Sequence, residues 1–269
     1  MFANSLEPGV PSGVMRRFGF RVGLRVGAFA VALVGCGSDD DGGDEPGPPT
    51  TDAEVMGEPH AGQYHLGPVD FAETEWHNAC APGGSQYRSS LRDATGLGGE
   101  YLAGVANQYA QTGGVCDACI LIKTATGRSI VARVVTYGVE QEAGDIDVSP
   151  SVFDAIHTGE FPRAMTWEFA KCPEAGTLRY EFQTGANPYW TSLWLRTPRV
   201  PITKVEVQSA NHASFFEMRR GPDGTLNDDG GFGTGEFTFR VTGMDGQVVT
   251  ETLPSFSAGE LVTGSAQFD

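Results

Sequence analysis

Apolar positions along this chain recur mainly at every second residue, in short runs separated by turn residues, which is the spacing of β-strands. Ser129 to Val135 and Met165 to Phe169 read as strands, and Ile120 to Ile122 reads as another. The stretch Gly83 to Gly99, rich in Gly and Ser, reads as loop. From Gly176 onward six alternating runs follow: Leu178 to Phe182, Ser192 to Arg196, Ile202 to Val207, Ser214 to Arg219, Glu236 to Val241 and Gln247 to Leu253. That density of short strands without a helical period predicts an antiparallel sandwich. One helix is expected, where Ser149 can cap the first turn, Pro150 suits the first helical position, and Val152, Phe153 and Ile156 fall on a core-facing stripe. The pattern therefore predicts a mainly β protein of two tandem units, divided near Cys172 to Gly176.

The N-terminal segment has a different character. Arg16, Arg17, Arg21 and Arg25 precede an apolar, small-residue run from Val26 to Gly35, the form of an export signal spanning residues 1–35. The run closes on Leu33-Val34-Gly35-Cys36, the pattern read by bacterial lipoprotein processing, which makes Cys36 the expected lipid attachment point. Residues 36–56 are acidic and rich in Gly and Pro, with too little apolar surface to offset the entropy of ordering, and are expected to form a tether. The expected location is outside the cytoplasm, anchored by lipid to a bacterial membrane, with the outer membrane or cell surface favoured because Gly37 and Ser38 follow the cysteine.

Charge narrows the partners. The chain carries 18 basic against 34 acidic residues, a net charge of −16, and removing the Arg-rich signal makes the remainder more acidic still. Such a surface repels nucleic acid and anionic wall polymers and favours a neutral partner. Cys80, Cys116, Cys119 and Cys172 remain after Cys36, and an even number in an exported chain predicts disulfides. Cys116 and Cys119 border a strand on which residues three apart face opposite ways, so they should reach different partners. The pairing expected is Cys80 with Cys116 and Cys119 with Cys172. His60, His65, His77, His157 and His212 show no metal-ligand spacing, so neither a metal nor another cofactor is expected. No signal for oligomerisation is visible, and a monomer is expected.

The candidate chemistry lies in Gly144-Asp145-Ile146-Asp147-Val148-Ser149-Pro150. Ile146 calls for burial, so Asp145 and Asp147 share the opposite face of an extended segment leading into the capped helix. Asp145 reads as a solvated turn residue that could supply a further carboxylate. Downstream, Trp190 and Trp194 are four apart on an expected strand, roughly 13 Å along it. Leu193 and Leu195 make the better core, which puts Trp194 on the exposed side with Trp190, and Tyr189 extends the row.

In these motifs the chain resembles the expansins. The first half, with Cys116-x-x-Cys119, Gly144-Asp-Ile-Asp147-Val-Ser-Pro, Phe153 and Trp167-x-Phe-x-x-Cys172-Pro173, is similar to their double-psi β-barrel. The second half, with Asn187-Pro188-Tyr189-Trp190 and Gly231-Phe-Gly-Thr-Gly235, is similar to their cellulose-binding, immunoglobulin-like sandwich. On this resemblance residues 57–173 form the barrel, 174–257 the sandwich and 258–269 a C-terminal tail. The family's disulfide pattern agrees with the pairing above. The resemblance further implies that Asp147 is the aspartate on which activity depends and that Tyr137 lines the same groove. Val135 stands where the family has a second aspartate, and His65 or Gln63 occupies the place of its groove threonine.

An inverting hydrolase needs an acid and a base about 6.5–9.5 Å apart, and Val135 removes one of the pair. The function implied is binding of cellulose or a related β-glucan through Tyr189, Trp190 and Trp194, with loosening of chain packing by Asp147 and Tyr137 and no hydrolysis. The alternatives are a barrel-type lytic transglycosylase, which needs a single acid, and a carbohydrate-binding module with a degenerate barrel.

Overall fold

In the computed structural model the described residues are 51–67, 79–80, 101–106, 109, 114–139, 142–173 and 176–269. The expected signal, Cys36 and the loop Gly83 to Gly99 lie outside them. The first half closes into a barrel of six strands: β1 (Val55–Leu66), β2 (Leu102–Ala106), β3 (Cys119–Thr124), β4 (Ser129–Val139), β5 (Ile146–Val148) and β6 (Ala164–Ala170), in the spatial order β1-β5-β2-β4-β3-β6. Two of the pairings, β1 with β5 and β2 with β4, are parallel, so the chain must cross over the barrel to make each. Alternation fills the interior with Tyr64, Ala103, Val105, Ile120, Ile122, Ala132, Val134, Ile146, Val148 and Trp167.

Helix α1 (Pro150–Ile156) forms where it is expected. Ser149 Oγ accepts from the Val152 N–H at 3.5 Å, Pro150 opens the first turn, and Val152 and Ile156 are buried against the barrel core with Phe153 beside them. Residues 51–56, expected in the tether, belong to the barrel instead. Thr51 N–H already bonds Ser129 Oγ at 2.8 Å, and Val55 and Met56 pair with Ala170 and Phe169, so the barrel begins before residue 57.

The second half packs two antiparallel sheets face to face. One has the order β10-β9-β13-β14 and the other β11-β12-β8-β7-β15. Their ranges are β7 (Arg179–Phe182), β8 (Thr191–Arg196), β9 (Ile202–Gln208), β10 (Phe216–Glu217), β11 (Arg219–Arg220), β12 (Leu226–Asp228), β13 (Phe237–Gly243), β14 (Val248–Leu253) and β15 (Leu261–Thr263). Between the sheets lie Tyr180, Phe182, Leu193, Leu195, Val205, Val207, Phe237, Phe239 and Val241. The expected tail is part of this fold: β15 pairs with β7, and Phe268 is fully buried in the core. The expected strand Ser214 to Arg219 is broken, because Phe216–Glu217 pairs with β9 in one sheet and Arg219–Arg220 with β12 in the other.

Barrel and sandwich belong to one compact unit. The expected disulfides, Cys80–Cys116 and Cys119–Cys172, are both formed. They bracket Asp117, whose backbone is left-handed at φ 66°. From there the Asp117 carboxylate accepts from Arg196 Nη1 of the sandwich at 2.9 Å.

Candidate functional site

Register across the barrel wall sets out a row of outward residues. His65 on β1 is level with Asp147 on β5, Asp147 with Gly104 on β2, and Gly104 with Thr136 on β4. Partners in a ladder share a face, and Tyr64, Ile146 and Val105 beside them point into the core, so this row lies on the outside. Asp147 is half-buried at its centre.

Glycines shape the space around it. A Cβ on Gly67 would stand 2.6 Å from Asp147 Cβ, and one on Gly104 would stand 2.7 Å from Thr136 Cγ2 and 3.8 Å from Asp147 Cβ. Gly67 therefore packs its backbone directly against the Asp147 side chain, and Gly104 packs against Thr136, with no room for a methyl group at either position. Neither glycine is conspicuous in the sequence, since the contacts that need them come from other strands.

His65 shares the face and is held in place. Its Nε2 is 3.2 Å from Asp145 Oδ2, and Asp145 Oδ1 accepts from the Gln63 N–H at 2.7 Å. Asp145 is thus buried, 8% exposed, and tied to β1; it is not the solvated turn residue expected. The sequence hid this because the partners lie about eighty residues upstream. His65 remains partly exposed beside Asp147.

Val135 and Tyr137 sit differently from the expectation. The β2–β4 register slips between Ala103 and Gly104, so Val135 falls at a bulge and Thr136 takes the place in the row. Val135 is fully buried, with its carbonyl accepting from the Cys80 N–H at 3.1 Å. Tyr137 packs partly on the barrel core, and its hydroxyl donates to the Pro222 carbonyl of the sandwich. Burial first, and the Asp223 charge second, push its phenol above the ordinary value. The phenol is a contact between the two halves.

The aromatic row is shorter than expected. Tyr189 is 80% exposed and Trp190 is half-buried, on a turn where Asn187 Oδ1 accepts from the Tyr189 N–H at 2.9 Å. Gly231 and Gly233 back this turn: Gly233 N–H bonds the Pro188 carbonyl at 2.8 Å, and a Cβ on Gly231 would lie 2.4 Å from that oxygen. Trp194, expected on the exposed side, is buried at 5%. The leucines do point into the core as alternation requires, but the opposite face is covered. Trp194 Nε1 donates to the Asp223 carbonyl at 3.1 Å, and the Arg196 guanidinium lies 4.8 Å from its ring centre.

No protein-family model matches the chain. It is 25% identical over 128 residues to Expansin-like protein 6 of Dictyostelium discoideum, a match covering 48% of this chain and 42% of the relative, so the chain spans less than half of that protein. Expansin-like protein 5 of the same organism is 19% identical over 207 residues, 74% of this chain and 85% of the relative. Expansin-YoaJ of Bacillus subtilis is 26% identical over 135 residues, 48% of this chain and 57% of the relative. Among solved structures, the apo expansin of Clavibacter michiganensis superposes with a TM-score of 0.63 at 16% identity, covering 78% of this chain and 98% of that one. A mutant of that expansin in complex with cellohexaose superposes with a TM-score of 0.60 at 15% identity over the same shares. The barrel followed by the sandwich defines the class, a two-unit β protein of the expansin fold. In sequence the chain is similar to expansins and expansin-like proteins of Bacillus subtilis and Dictyostelium discoideum, and in structure it shares the expansin fold.

Proposed function

We propose that this protein binds cellulose or a related neutral β-glucan and loosens the packing of its chains without hydrolysing them. The observation that carries the reading is half-buried Asp147 at the centre of an outward row, with the Gly67 backbone packed against its side chain and His65 level with it on the next strand. A half-buried carboxylate on such a row can accept hydrogen bonds from sugar hydroxyls in competition with those between glucan chains. Among the described residues the row holds no second carboxylate: Val135 is apolar and buried, and the Asp145 carboxylate is engaged by Gln63 and His65. A related fold has been captured with cellohexaose, which supports a glucan as the ligand.

In this reading Tyr189 and Trp190 contribute flat aromatic surface in the sandwich. Asp147 and His65 contribute polar contacts in the barrel, and Tyr137 joins the two halves. The two disulfides fit an exported protein. The Leu33-Val34-Gly35-Cys36 pattern supports a lipid anchor at Cys36, which metabolic labelling with a fatty-acid analogue, lost in Cys36→Ala, would test.

The deciding experiment pairs a pull-down on microcrystalline cellulose with mechanical weakening of cellulose paper and a reducing-sugar assay. Expected are retention on cellulose, weakening of the paper and no sugar release. Asp147→Asn is expected to keep most of the retention and lose at least about tenfold in weakening. Sugar release that disappears in Asp147→Asn would replace the reading with a chain-cutting one.

A further inference from the structure

Asp145 is 8% exposed, and the chain around it is arranged to keep its carboxylate against β1. The turn that carries it lies directly on the β1 backbone. A Cβ on Gly62 would stand 2.7 Å from the Asp145 nitrogen, and one on Gly144, at φ 92°, would meet the Ala61 carbonyl oxygen. Glycine at both places lets the two backbones touch. From the core side Trp167 Nε1 donates to the Gly144 carbonyl at 2.9 Å, and the Asp145 N–H closes the turn on the Glu142 carbonyl at 3.0 Å. The carboxylate then divides its oxygens. Oδ1 accepts from the Gln63 N–H at 2.7 Å, and Oδ2 lies 3.2 Å from His65 Nε2.

This contact decides where the His65 ring carries its proton. A carboxylate can only accept, so the proton between the two groups sits on Nε2. The neutral imidazole has a single N–H, which leaves Nδ1 as a bare acceptor. Among the described residues Nδ1 meets no hydrogen-bond partner, and the side chain is 39% exposed on the face it shares with Asp147.

We propose that Asp145 is a positioning residue for glucan contact: by holding Nε2–H it presents His65 Nδ1, as an acceptor, to a sugar hydroxyl on the row that Asp147 occupies. The inference rests on the glucan-binding reading above. Hydroxyls that link neighbouring glucan chains are the donors of those bonds. The row then offers them two kinds of acceptor, a carboxylate on β5 and a neutral ring nitrogen on β1, on strands about 4.8 Å apart. A tie that served only to fasten the turn would need the Gln63 bond and not the one to the ring.

Nitrogen-15 NMR of the histidine-labelled full chain reads the tautomer directly, with the His65 signals assigned by their loss in His65→Ala. At about pH 8, above the ordinary imidazole range, Nε2–H is expected in the parent and Nδ1–H in Asp145→Asn. In that variant the amide oxygen keeps the Gln63 N–H and the amide NH2 donates to Nε2. Its urea midpoint should therefore stay near the parent's, while weakening of cellulose paper falls by about fivefold, the loss of one hydrogen bond. In a His65→Ala background Asp145→Asn should cause no further loss, because Asp145 acts through the ring. Nδ1–H in the parent, or Nε2–H kept in a folded Asp145→Asn protein, would overturn the proposal. So would two losses that add, or an active parent matched in paper weakening by Asp145→Asn. A parent that neither binds cellulose nor weakens paper, yet shows the expected spectra, would remove the glucan reading and leave Asp145 as the group that orients the ring.

Discussion

A methyl group at residue 67 would overlap Asp147 at both Cβ and Cγ, 2.6 and 2.7 Å away, whereas the Asp147 backbone is fixed by ladders to β1 and β2. Asp147 Cβ moves only with that backbone, so the strain falls on the chain at residue 67 and on the carboxylate beyond Cβ. Gly67→Ala is therefore expected to swing the carboxylate out of the row and reproduce the Asp147→Asn loss of paper weakening, at a stability cost of about 1–3 kcal/mol. Full weakening activity in a folded Gly67→Ala protein would show that the carboxylate's position is not critical. The contrast between Asp147 and Trp194 shows what could be read one residue at a time. Asp147 was legible because Ile146 and the Ser149–Pro150 cap fix which way it faces. Alternation also gave the right face for Trp194, but not what covers that face. The covering loop, Gly221 to Thr225, belongs to a different stretch of the chain and touches both Trp194 and Tyr137.

At the level of elements, strands that keep one alternation from end to end were visible in the sequence, and those that change partner were not. Met218 N–H bonds the Val205 carbonyl at 2.9 Å and its side chain is buried, so the chain passes from one sheet to the other at this residue. A run of similar residues hides that crossing. The short β2, β5 and β12 are likewise fixed by neighbours more than by their own pattern. Between β9 and β13 the pairing is reinforced by charge. Glu206 and Arg240 are directly opposite, with bonds of 2.8 and 2.6 Å from the guanidinium, and these hydrogen bonds take the carboxyl from 4.5 to about 2. A depressed folded-state value stabilises the protein above the ordinary carboxyl range, and that contribution is lost as pH falls from about 4.5 through about 2. Urea titrations of the parent and Glu206→Gln should thus differ at neutral pH and converge across that interval. A difference independent of pH would remove the ion pair as its cause.

For the whole molecule, the joint between barrel and sandwich is centred on the buried Arg196, with the buried Arg133 beside it. Arg196 is fully buried. Its Nε donates to Glu181 of the same sheet at 2.8 Å, and its Nη1 donates to the Asp117 carboxylate and the Cys80 carbonyl of the barrel at 2.9 and 3.0 Å. Both carboxylates are 3% exposed, and Arg133 Nη1 donates to the Asp117 carbonyl at 2.6 Å. The left-handed turn at Asp117 that carries its carboxylate across is bracketed by the two disulfides and held by the bond from its N–H to the Val134 carbonyl at 3.0 Å. None of this follows from the local pattern around Arg196, which reads as the polar end of a strand. Replacing the guanidinium by an apolar side chain of similar length would take away the donor that two buried carboxylates share, and less of their desolvation would be compensated. Arg196→Met is expected to lose about 3–5 kcal/mol in urea denaturation and to split one unfolding transition into two, as barrel and sandwich come apart. Adding Asp117→Asn and Glu181→Gln should recover part of the loss, because neutral amides need no counter-charge. If Arg196→Met unfolds at the parent's midpoint in a single transition, the two halves must be held together by the disulfide-framed backbone and the Tyr137–Pro222 contact instead.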